Sequence, residues 1–236
     1  MICSPSALMD HWDDFDRVDN VDLGAAWRPD FDALKIVSQQ VQLSTPASFS
    51  ARQGAWETYV GGYNGGRLLT DNWEIIGQIA TPVGTAATTN YSALGAGMFA
   101  AGPGAGMVLV YAVMLQGTAN ATAAMAIYTY SNSTIVSPGN ATGASGQTVR
   151  GTTSTVRVAN GDIVRFRRRK YSATQSQFDF LQNGTVRASW NDSGGVVPAG
   201  DPLRRQWFVQ CEGNATTGTA QYSPSISNVR AWDRPY

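Results

Sequence analysis

The densest cluster of charge in this chain is the basic run Arg165–Lys170, in which five of six residues are cationic. On a β-strand, alternate side chains face opposite sides. One face would then carry Arg165, Arg167 and Arg169, and the other would carry Phe166, Arg168 and Lys170. Like charges at this density are costly without acidic partners. We therefore expect an exposed strand end that pairs with the acidic N-terminal segment or with a neighbouring subunit, and an anionic, phosphate-bearing glycan is an alternative partner. The candidate interface residues are Arg165, Arg167, Arg168, Arg169 and Lys170.

A second group of candidate residues combines aromatic rings with a side-chain amide in glycine-rich sequence. Its members are Trp56, Tyr59, Tyr63 and Asn64. Sugars stack on aromatic rings and form hydrogen bonds with amides, so these residues form a candidate glycan-binding platform. Trp and Tyr are also enriched at protein interfaces, and the same four residues could equally bind a protein partner.

An acidic run near the N-terminus raises the question of a metal site. It contains Asp10, Asp13, Asp14, Asp16, Asp19 and Asp22. Calcium requires several oxygen ligands, but the spacing of these residues does not match an EF-hand loop, and Arg17 interrupts it. We interpret the run as a polar segment whose carboxylates cap turns or pair with basic residues. We predict neither a metal site nor a cofactor.

Residues suited to acid–base or nucleophilic catalysis are scarce. Glycoside hydrolysis normally requires two carboxylates facing one bond, one of them protonated. The chain has three glutamates, Glu57, Glu74 and Glu212, and none has an acidic partner two or five positions further on. His11 is the only histidine, and no serine lies in a Gly-x-Ser-x-Gly elbow. We therefore expect a protein without enzymatic activity.

The composition indicates a globular chain. Charged residues make up 14% and hydrophobic residues 43%, with 25 glycines, which is too apolar for disorder and too rich in glycine for a helical protein. The net charge of zero argues against a nucleic-acid-binding surface. Cys3 and Cys211 fit no disulfide framework or zinc spacing; we expect both to be reduced, and a bridge between them stays open. The first nine residues lack the features of a secretory signal, and the apolar run Met107–Leu115 is too short to span a bilayer, so we predict no membrane insertion.

The elements that would position these residues are short β-strands, because apolar residues recur with a period of two rather than a helical period. The clearest local signal is Phe178–Trp190, in which Asn183-Gly184 supplies the two positive-φ positions of a type I′ hairpin turn. Further strands are predicted at Leu34–Ile36, Val41–Leu43, Trp73–Ile79, Val108–Leu115, Ala124–Tyr130, Gln206–Cys211 and Ile226–Trp232. Residues predicted to lie in the core are Trp27, Trp73, Trp190, Trp207 and Trp232. We predict one domain, residues 13–236, preceded by an arm of residues 1–12.

The two ends of the chain carry a pattern found in a known family. The segment Asp13–Arg17 has the sequence Asp-Asp-Phe-Asp-Arg and is followed by Leu23-Gly24 and Trp27, while Ser227–Asp233 is typical of a closing strand. This acidic-aromatic opening, followed by many short strands, resembles the concanavalin A-like (laminin-G-like) jelly rolls in tail proteins of phages that infect actinobacteria. The resemblance implies an all-β fold, a two-sheet antiparallel jelly-roll sandwich whose first and last strands lie side by side.

The same resemblance implies a function. We expect a non-enzymatic virion structural protein made in the host cytoplasm, namely a minor tail protein that contacts other virion proteins and host cell-envelope glycan. Tail parts of this kind are often trimers, so we expect a homotrimer. One alternative is a capsid decoration protein. Another is a glycan-cleaving enzyme, which is less favoured because the Glu-x-Asp-x-x-Glu strand of glucanases with this fold is absent from the sequence.

Overall fold

The computed structural model of the protein describes residues 10–31, 33–44, 53–61, 63–98, 107–117, 123–132, 142, 145–200, 205–216 and 218–234. Within these ranges the chain forms seventeen β-strands and one short 3-10 helix, Tyr63–Gly66. No helix among the described residues is long and apolar enough to cross a membrane. The strands form two sheets that pack face to face, which confirms the predicted all-β sandwich.

The first sheet places the basic run at its centre. Its eight strands are β1 (Asp10–Asp13), β3 (Leu34–Val37), β4 (Gln40–Leu43), β6 (Trp73–Ala80), β12 (Ile163–Lys170), β13 (Ser176–Gln182), β14 (Thr185–Asp192) and β17 (Ser225–Asp233). They lie in the order β14-β13-β12-β6-β17-β4-β3, and β1 also pairs with β17. The basic run is therefore an interior strand between β6 and β13, not the exposed strand end expected from the sequence.

The second sheet covers the other side of the core. Its nine strands are β2 (Trp27–Phe31), β5 (Gln53–Tyr59), β7 (Thr85–Ala86), β8 (Ser92–Met98), β9 (Met107–Met114), β10 (Met125–Asn132), β11 (Gln147–Ser154), β15 (Gln206–Thr216) and β16 (Thr219–Tyr222). The main order is β11-β10-β9-β8-β15-β16-β7, while β5 pairs with β15 and β2 with β5. The pairs are antiparallel except for that between β16 and β7.

The main hydrophobic core lies between the sheets because alternate residues of each strand face inward. On β10, Met125 and Ile127 belong to this core while Tyr130 lies in a second cluster on the outer face, as the alternation predicts. In the first sheet the ring of Trp73 packs edge-on against Phe166, with 5.3 Å between the ring centroids. Complete burial of a large apolar side chain contributes about 1.5–3 kcal/mol each. The predicted core positions of Trp27, Trp73 and Trp207 are confirmed.

Two hairpins have type I′ turn geometry, which the sequence predicted for the turn at Asn183-Gly184. Asn183 and Gly184, with φ of 49° and 82°, join β13 to β14. Ser38 and Gln39, with φ of 49° and 61°, join β3 to β4. Two consecutive positive φ values are the signature of a type I′ turn, whose twist matches that of the flanking strands.

The first described strand and the last one lie side by side, as the family resemblance implies. β1 runs antiparallel to β17, with Asp10 opposite Trp232 and Asp13 opposite Val229. Residues 10–12 are therefore part of the sheet, and the boundary expected after residue 12 is wrong. The remainder of the predicted arm, residues 1–9, lies outside the described residues.

Cys211 is a core residue on β15. Its thiol is free and fully buried, and burial raises its pKa to about 12. A thiol held in its neutral form is a poor nucleophile, so Cys211 behaves as a small apolar side chain. Cys3 lies outside the described residues.

One side of the sandwich is closed by contact between β11 and β14, which belong to different sheets. The Ser189 backbone N–H donates to Thr152 Oγ1 across this junction at 2.9 Å. The neighbouring Gly151 has a φ of 62°, and a Cβ placed there would lie only 1.9 Å from the Ser189 carbonyl oxygen. Glycine is thus required at this position by backbone conformation and by space.

A matched pair of glycine substitutions separates these two requirements. Gly184→Ala adds a Cβ at positive φ with no atom within 4 Å, so we expect a loss of about 1–2 kcal/mol from backbone strain alone. Gly151→Ala adds the same strain and a backbone clash, and we expect a loss of about 3 kcal/mol or more. Urea unfolding of the two variants measures the difference. Equal losses in the free energy of unfolding would show that the backbone at the β11–β14 contact moves to accommodate a Cβ at no cost. The contact would then not hold the sheets together.

Candidate functional site

The predicted aromatic platform is not an exposed surface. Trp56 and Tyr59 lie on opposite faces of β5, because residues three apart on a strand point in opposite directions. Trp56 is fully buried in the outer-face cluster, with its ring 4.8 Å from that of Phe208. Tyr59 is buried in the main core and stacks on Trp207 at 4.8 Å. The prediction of a sugar platform is therefore wrong for Trp56 and Tyr59, and the side chains of Tyr63 and Asn64 lie outside the described part of the chain.

The basic run has the predicted alternation, and two carboxylates hold its outward-facing residues. Arg165 Nε lies 3.1 Å from Glu74, whose other oxygen lies 2.6 Å from Arg234 Nε. Neither contact has hydrogen-bond geometry, so the negative charge of Glu74 is balanced only by its closeness to the positive charges of Arg165 and Arg234. Arg167 and Arg169 both reach Asp179, at 3.0 and 2.8 Å. Burial by itself would raise the pKa of Asp179, but hydrogen bonds from Gln177, Ser189 and Arg167 outweigh it and lower the pKa.

The inward-facing part of the basic run forms a buried network around Asp71. Arg168 is fully buried, donates to the Val197 carbonyl oxygen at 3.1 Å, and lies 3.6 Å from Asp71. Lys170 and Arg205 lie 3.2 and 3.1 Å from the same carboxylate. The prediction of an exposed interface is therefore wrong for Arg168. The expected pairing of the basic run with the N-terminal acidic segment is also wrong, because its partners are Asp71, Glu74 and Asp179.

The acidic segment instead stabilises its own turns, as the sequence interpretation proposed. Asp13 accepts hydrogen bonds from the Phe15 backbone N–H at 2.8 Å, from Trp27 Nε1 at 2.8 Å and from Arg17. Asp22 accepts from the Gly24 backbone N–H at 2.8 Å. In the part of the chain that the structure describes, no three acidic, histidine or cysteine side chains are grouped so as to hold a metal ion.

The junction of β1 and β17 forms a pocket of about 330 Å³ on the outer face of the first sheet. We call it the terminal pocket, and it is lined by Asp10, Trp12, Asp13, Asp14, Asn228, Val229 and Arg230. Trp12 is 61% exposed, the largest exposure of any described aromatic ring. The alternation of β1 sends Asp10 and Trp12 outward while His11 and Asp13 are buried. The sequence reasoning missed this site, although that alternation was the available signal.

Charge and aromatic surface meet in the terminal pocket. Arg230 donates from Nε to Asp10 at 2.7 Å, and this hydrogen bond raises the pKa of Arg230. The same guanidinium lies 5.3 Å from the ring centre of Trp232, which faces outward and was wrongly predicted to lie in the core. The pocket thus offers an apolar ring together with carboxylate oxygens, an amide and a guanidinium. This combination suits a ligand with flat apolar faces and many hydroxyl groups.

The strands that form the middle of the second sheet carry no facing pair of carboxylates. β5, β8, β9, β10 and β15 contain two, Glu57 and Glu212, which lie on opposite faces of the sheet by strand alternation. Each carboxylate accepts a hydrogen bond from the protein backbone. Glu57 accepts from the Leu34 N–H at 2.8 Å, and Glu212 accepts from the Tyr91 N–H at 2.7 Å. His11 is buried against Tyr59, and burial lowers its pKa. These residues do not form a general acid facing a nucleophile.

Comparison with solved structures identifies the architecture. The metal-free VIP36 exoplasmic/lumenal domain is 12% identical, with a TM-score of 0.50 over 89% of this chain and 86% of that one. The Bacillus licheniformis β-glucanase is 11% identical, with a TM-score of 0.51 over 96% and 98%. SCLam, a non-specific endo-β-1,3(4)-glucanase of family GH16, is 9% identical, with a TM-score of 0.50 over 99% and 94%. The chain has the concanavalin A-like jelly-roll fold. No protein-family model matches its sequence, and no curated protein does either.

The Asp71 network makes a pH-dependent contribution to stability. Burial alone would raise the pKa of Asp71, but hydrogen bonds from Arg205 and the Gly200 N–H and the charge of Arg168 lower it from 3.8. A carboxylate with a lowered folded pKa stabilises the protein above its unfolded pKa, and this stabilisation is lost as the pH falls through the folded pKa.

We expect Asp71→Asn to reduce stability at pH 7 by about 3 kcal/mol, because Arg168 is left buried without its charged partner. The difference from the native protein should shrink as the pH falls below about 4. Unfolding curves between pH 7 and pH 3 test this. Asp22→Asn, at an exposed cap where the amide oxygen can still accept, is the control and should have little effect. A constant difference at all pH values would contradict the assigned role.

Proposed function

We propose that this protein is a non-enzymatic, carbohydrate-binding subunit of a phage virion, a minor tail protein that contacts host cell-envelope glycan through the terminal pocket. The observation that carries the proposal is the exposed ring of Trp12 beside Asp10, Asn228 and Arg230. An aromatic ring of this size is normally covered, and an exposed one beside several polar groups is typical of a binding surface.

The fold and the sequence ends support the same proposal. Solved structures with this fold include the Ca²⁺- and Man-bound form of the VIP36 exoplasmic/lumenal domain, at 11% identity and a TM-score of 0.50. The acidic-aromatic opening Asp13–Arg17 resembles tail proteins of phages that infect actinobacteria. The proposed assembly is a homotrimer in contact with other virion proteins.

The occupied carboxylates favour binding over cleavage. In the terminal pocket, Asp10 accepts from Arg230, and Asp13 accepts from Arg17 and Trp27. A glycosidase must present a protonated carboxyl to the leaving oxygen and a second carboxylate to the opposite side of the bond. All three aspartates of the pocket instead accept protein hydrogen bonds, Asp14 from the Asp16 backbone N–H at 3.0 Å, and this supports a pocket that holds a glycan without cleaving it.

Substitution of Trp12 tests the pocket. We expect Trp12→Ala to weaken binding to actinobacterial cell-wall fragments by about tenfold or more, because the stacking surface is removed, and Trp12→Phe to retain most of it. Tyr171→Ala is the matched control, since Tyr171 is 60% exposed but lies outside the pocket. All three variants should unfold like the native protein, as exposed substitutions usually change stability by about 0.5 kcal/mol or less. Binding unchanged in Trp12→Ala would remove the pocket from the proposal.

Location in the particle tests the virion role. A cryo-EM map of the phage with this chain placed in it should show the protein on the tail as a trimer, with the terminal pocket facing outward. Density on the head lattice, with the pocket buried against capsid subunits, would replace the proposal with a capsid decoration protein.

A further inference from the structure

We propose that the glycan is anionic and that its phosphate or carboxylate groups bind an arginine ladder beside the terminal pocket. The arginine ladder consists of Arg165, Arg167, Arg169 and Arg234. This inference rests on the proposed function, since it names the chemical class of the same ligand.

The ladder carries more positive charge than the structure neutralises. Glu74 is shared by Arg165 and Arg234, and Asp179 is shared by Arg167 and Arg169. Four guanidinium groups therefore face two carboxylates, which leaves two positive charges uncompensated within the ladder. The net charge of the whole chain is zero, so this surplus is a local feature.

The carboxylates that pair with the ladder are buried, whereas its guanidinium groups are partly exposed. The side chains of Glu74 and Asp179 are 0% and 5% exposed, whereas those of the four arginines are between 22% and 47% exposed. The carboxylates lie beneath and the guanidinium groups above, so an approaching ligand meets the cations first. Such an arrangement holds the arginines in place and presents their remaining N–H donors to an anion.

The ladder is continuous with the terminal pocket on the same face of the sheet. Across the strands, Asp10 lies opposite Trp232, Trp232 opposite Glu74, and Glu74 opposite Arg167. β1 and β12 are three strand spacings apart, or about 14 Å. A polymeric glycan seated on Trp12 can therefore extend over Trp232 and reach the arginines without leaving the face.

The spacing and chemistry of the ladder suit repeated anionic groups. Alternate residues of a strand are about 7 Å apart along the backbone. The guanidinium groups of this row form two pairs, Arg167 with Arg169 at Asp179 and Arg165 with Arg234 at Glu74. The row is made of arginine, whose planar guanidinium binds phosphate and carboxylate through two parallel hydrogen bonds. A single small anion would need one such group, whereas a charged polymer uses the whole row.

The shared carboxylates permit a clean test. In Arg165→Gln/Arg169→Gln, Glu74 keeps Arg234 and Asp179 keeps Arg167, so neither buried carboxylate loses its last partner. Arg28→Gln/Arg150→Gln removes the same charge from β2 and β11 of the other sheet and is the matched control. Circular dichroism and thermal unfolding establish that both double variants are folded.

Binding is measured by isothermal titration to poly(glycerol phosphate), polygalacturonate, neutral dextran and a short DNA duplex, and by sedimentation with actinobacterial cell-wall fragments. We expect native protein to bind at least one anionic glycan more tightly than dextran. Arg165→Gln/Arg169→Gln should lose about tenfold or more, and added salt should weaken the native interaction. Binding to poly(glycerol phosphate) would identify phosphate as the recognised group, and binding to polygalacturonate would identify carboxylate. The control should bind like the native protein.

The outcomes separate this inference from the proposed function. Wall binding that is lost in Trp12→Ala but retained in Arg165→Gln/Arg169→Gln overturns the anionic assignment and leaves the proposed function intact. Equal affinity for DNA and for the anionic glycans, with the same sensitivity to the double variant, shows a general polyanion surface and also overturns it. No binding of native protein to walls or to any of the glycans overturns both.

Discussion

The antiparallel pairing of β1 with β17 is the contact on which the candidate site depends. It brings Trp12 beside Arg230 and closes one part of the first sheet with residues from opposite ends of the chain. Asp13 fixes the same strand from behind, through the indole N–H of the buried Trp27 and the guanidinium of Arg17. The backbone that carries the exposed Trp12 is thus held in the sheet before a ligand binds.

The ion pairs of the first sheet are built around three buried carboxylates. Asp71, Glu74 and Asp179 are each buried beside two or more cations, which satisfies the physical requirement that an enclosed carboxylate be paired. The arrangement explains how five basic residues can occupy one interior strand. The surplus of positive charge at the arginine ladder is local, since the net charge of the whole chain is zero.

Local features of the sequence predicted local structure well. The hairpin at Asn183-Gly184 follows from two residues that tolerate positive φ, and the alternation of β12 follows from the geometry of any strand. The sequence could not show which of two strand faces is covered. Trp56 and Trp232 both lie in alternating patterns, yet one is enclosed in an outer-face cluster and the other faces outward. The partner of Lys170, Asp71, is 99 positions away in the sequence, and only the folded topology brings the two together.

The distance along the chain between the two halves of the terminal pocket has a consequence for its formation. Asp10 and Arg230 are 220 positions apart, so closing this loop carries a large entropic cost and the pairing belongs to the slow, long-range part of folding. During synthesis Trp12 is made well before β17, because the two are far apart in the sequence. The terminal pocket therefore does not form until β17 has been synthesised and has paired with β1, and a ligand that requires the pocket can bind only after that step.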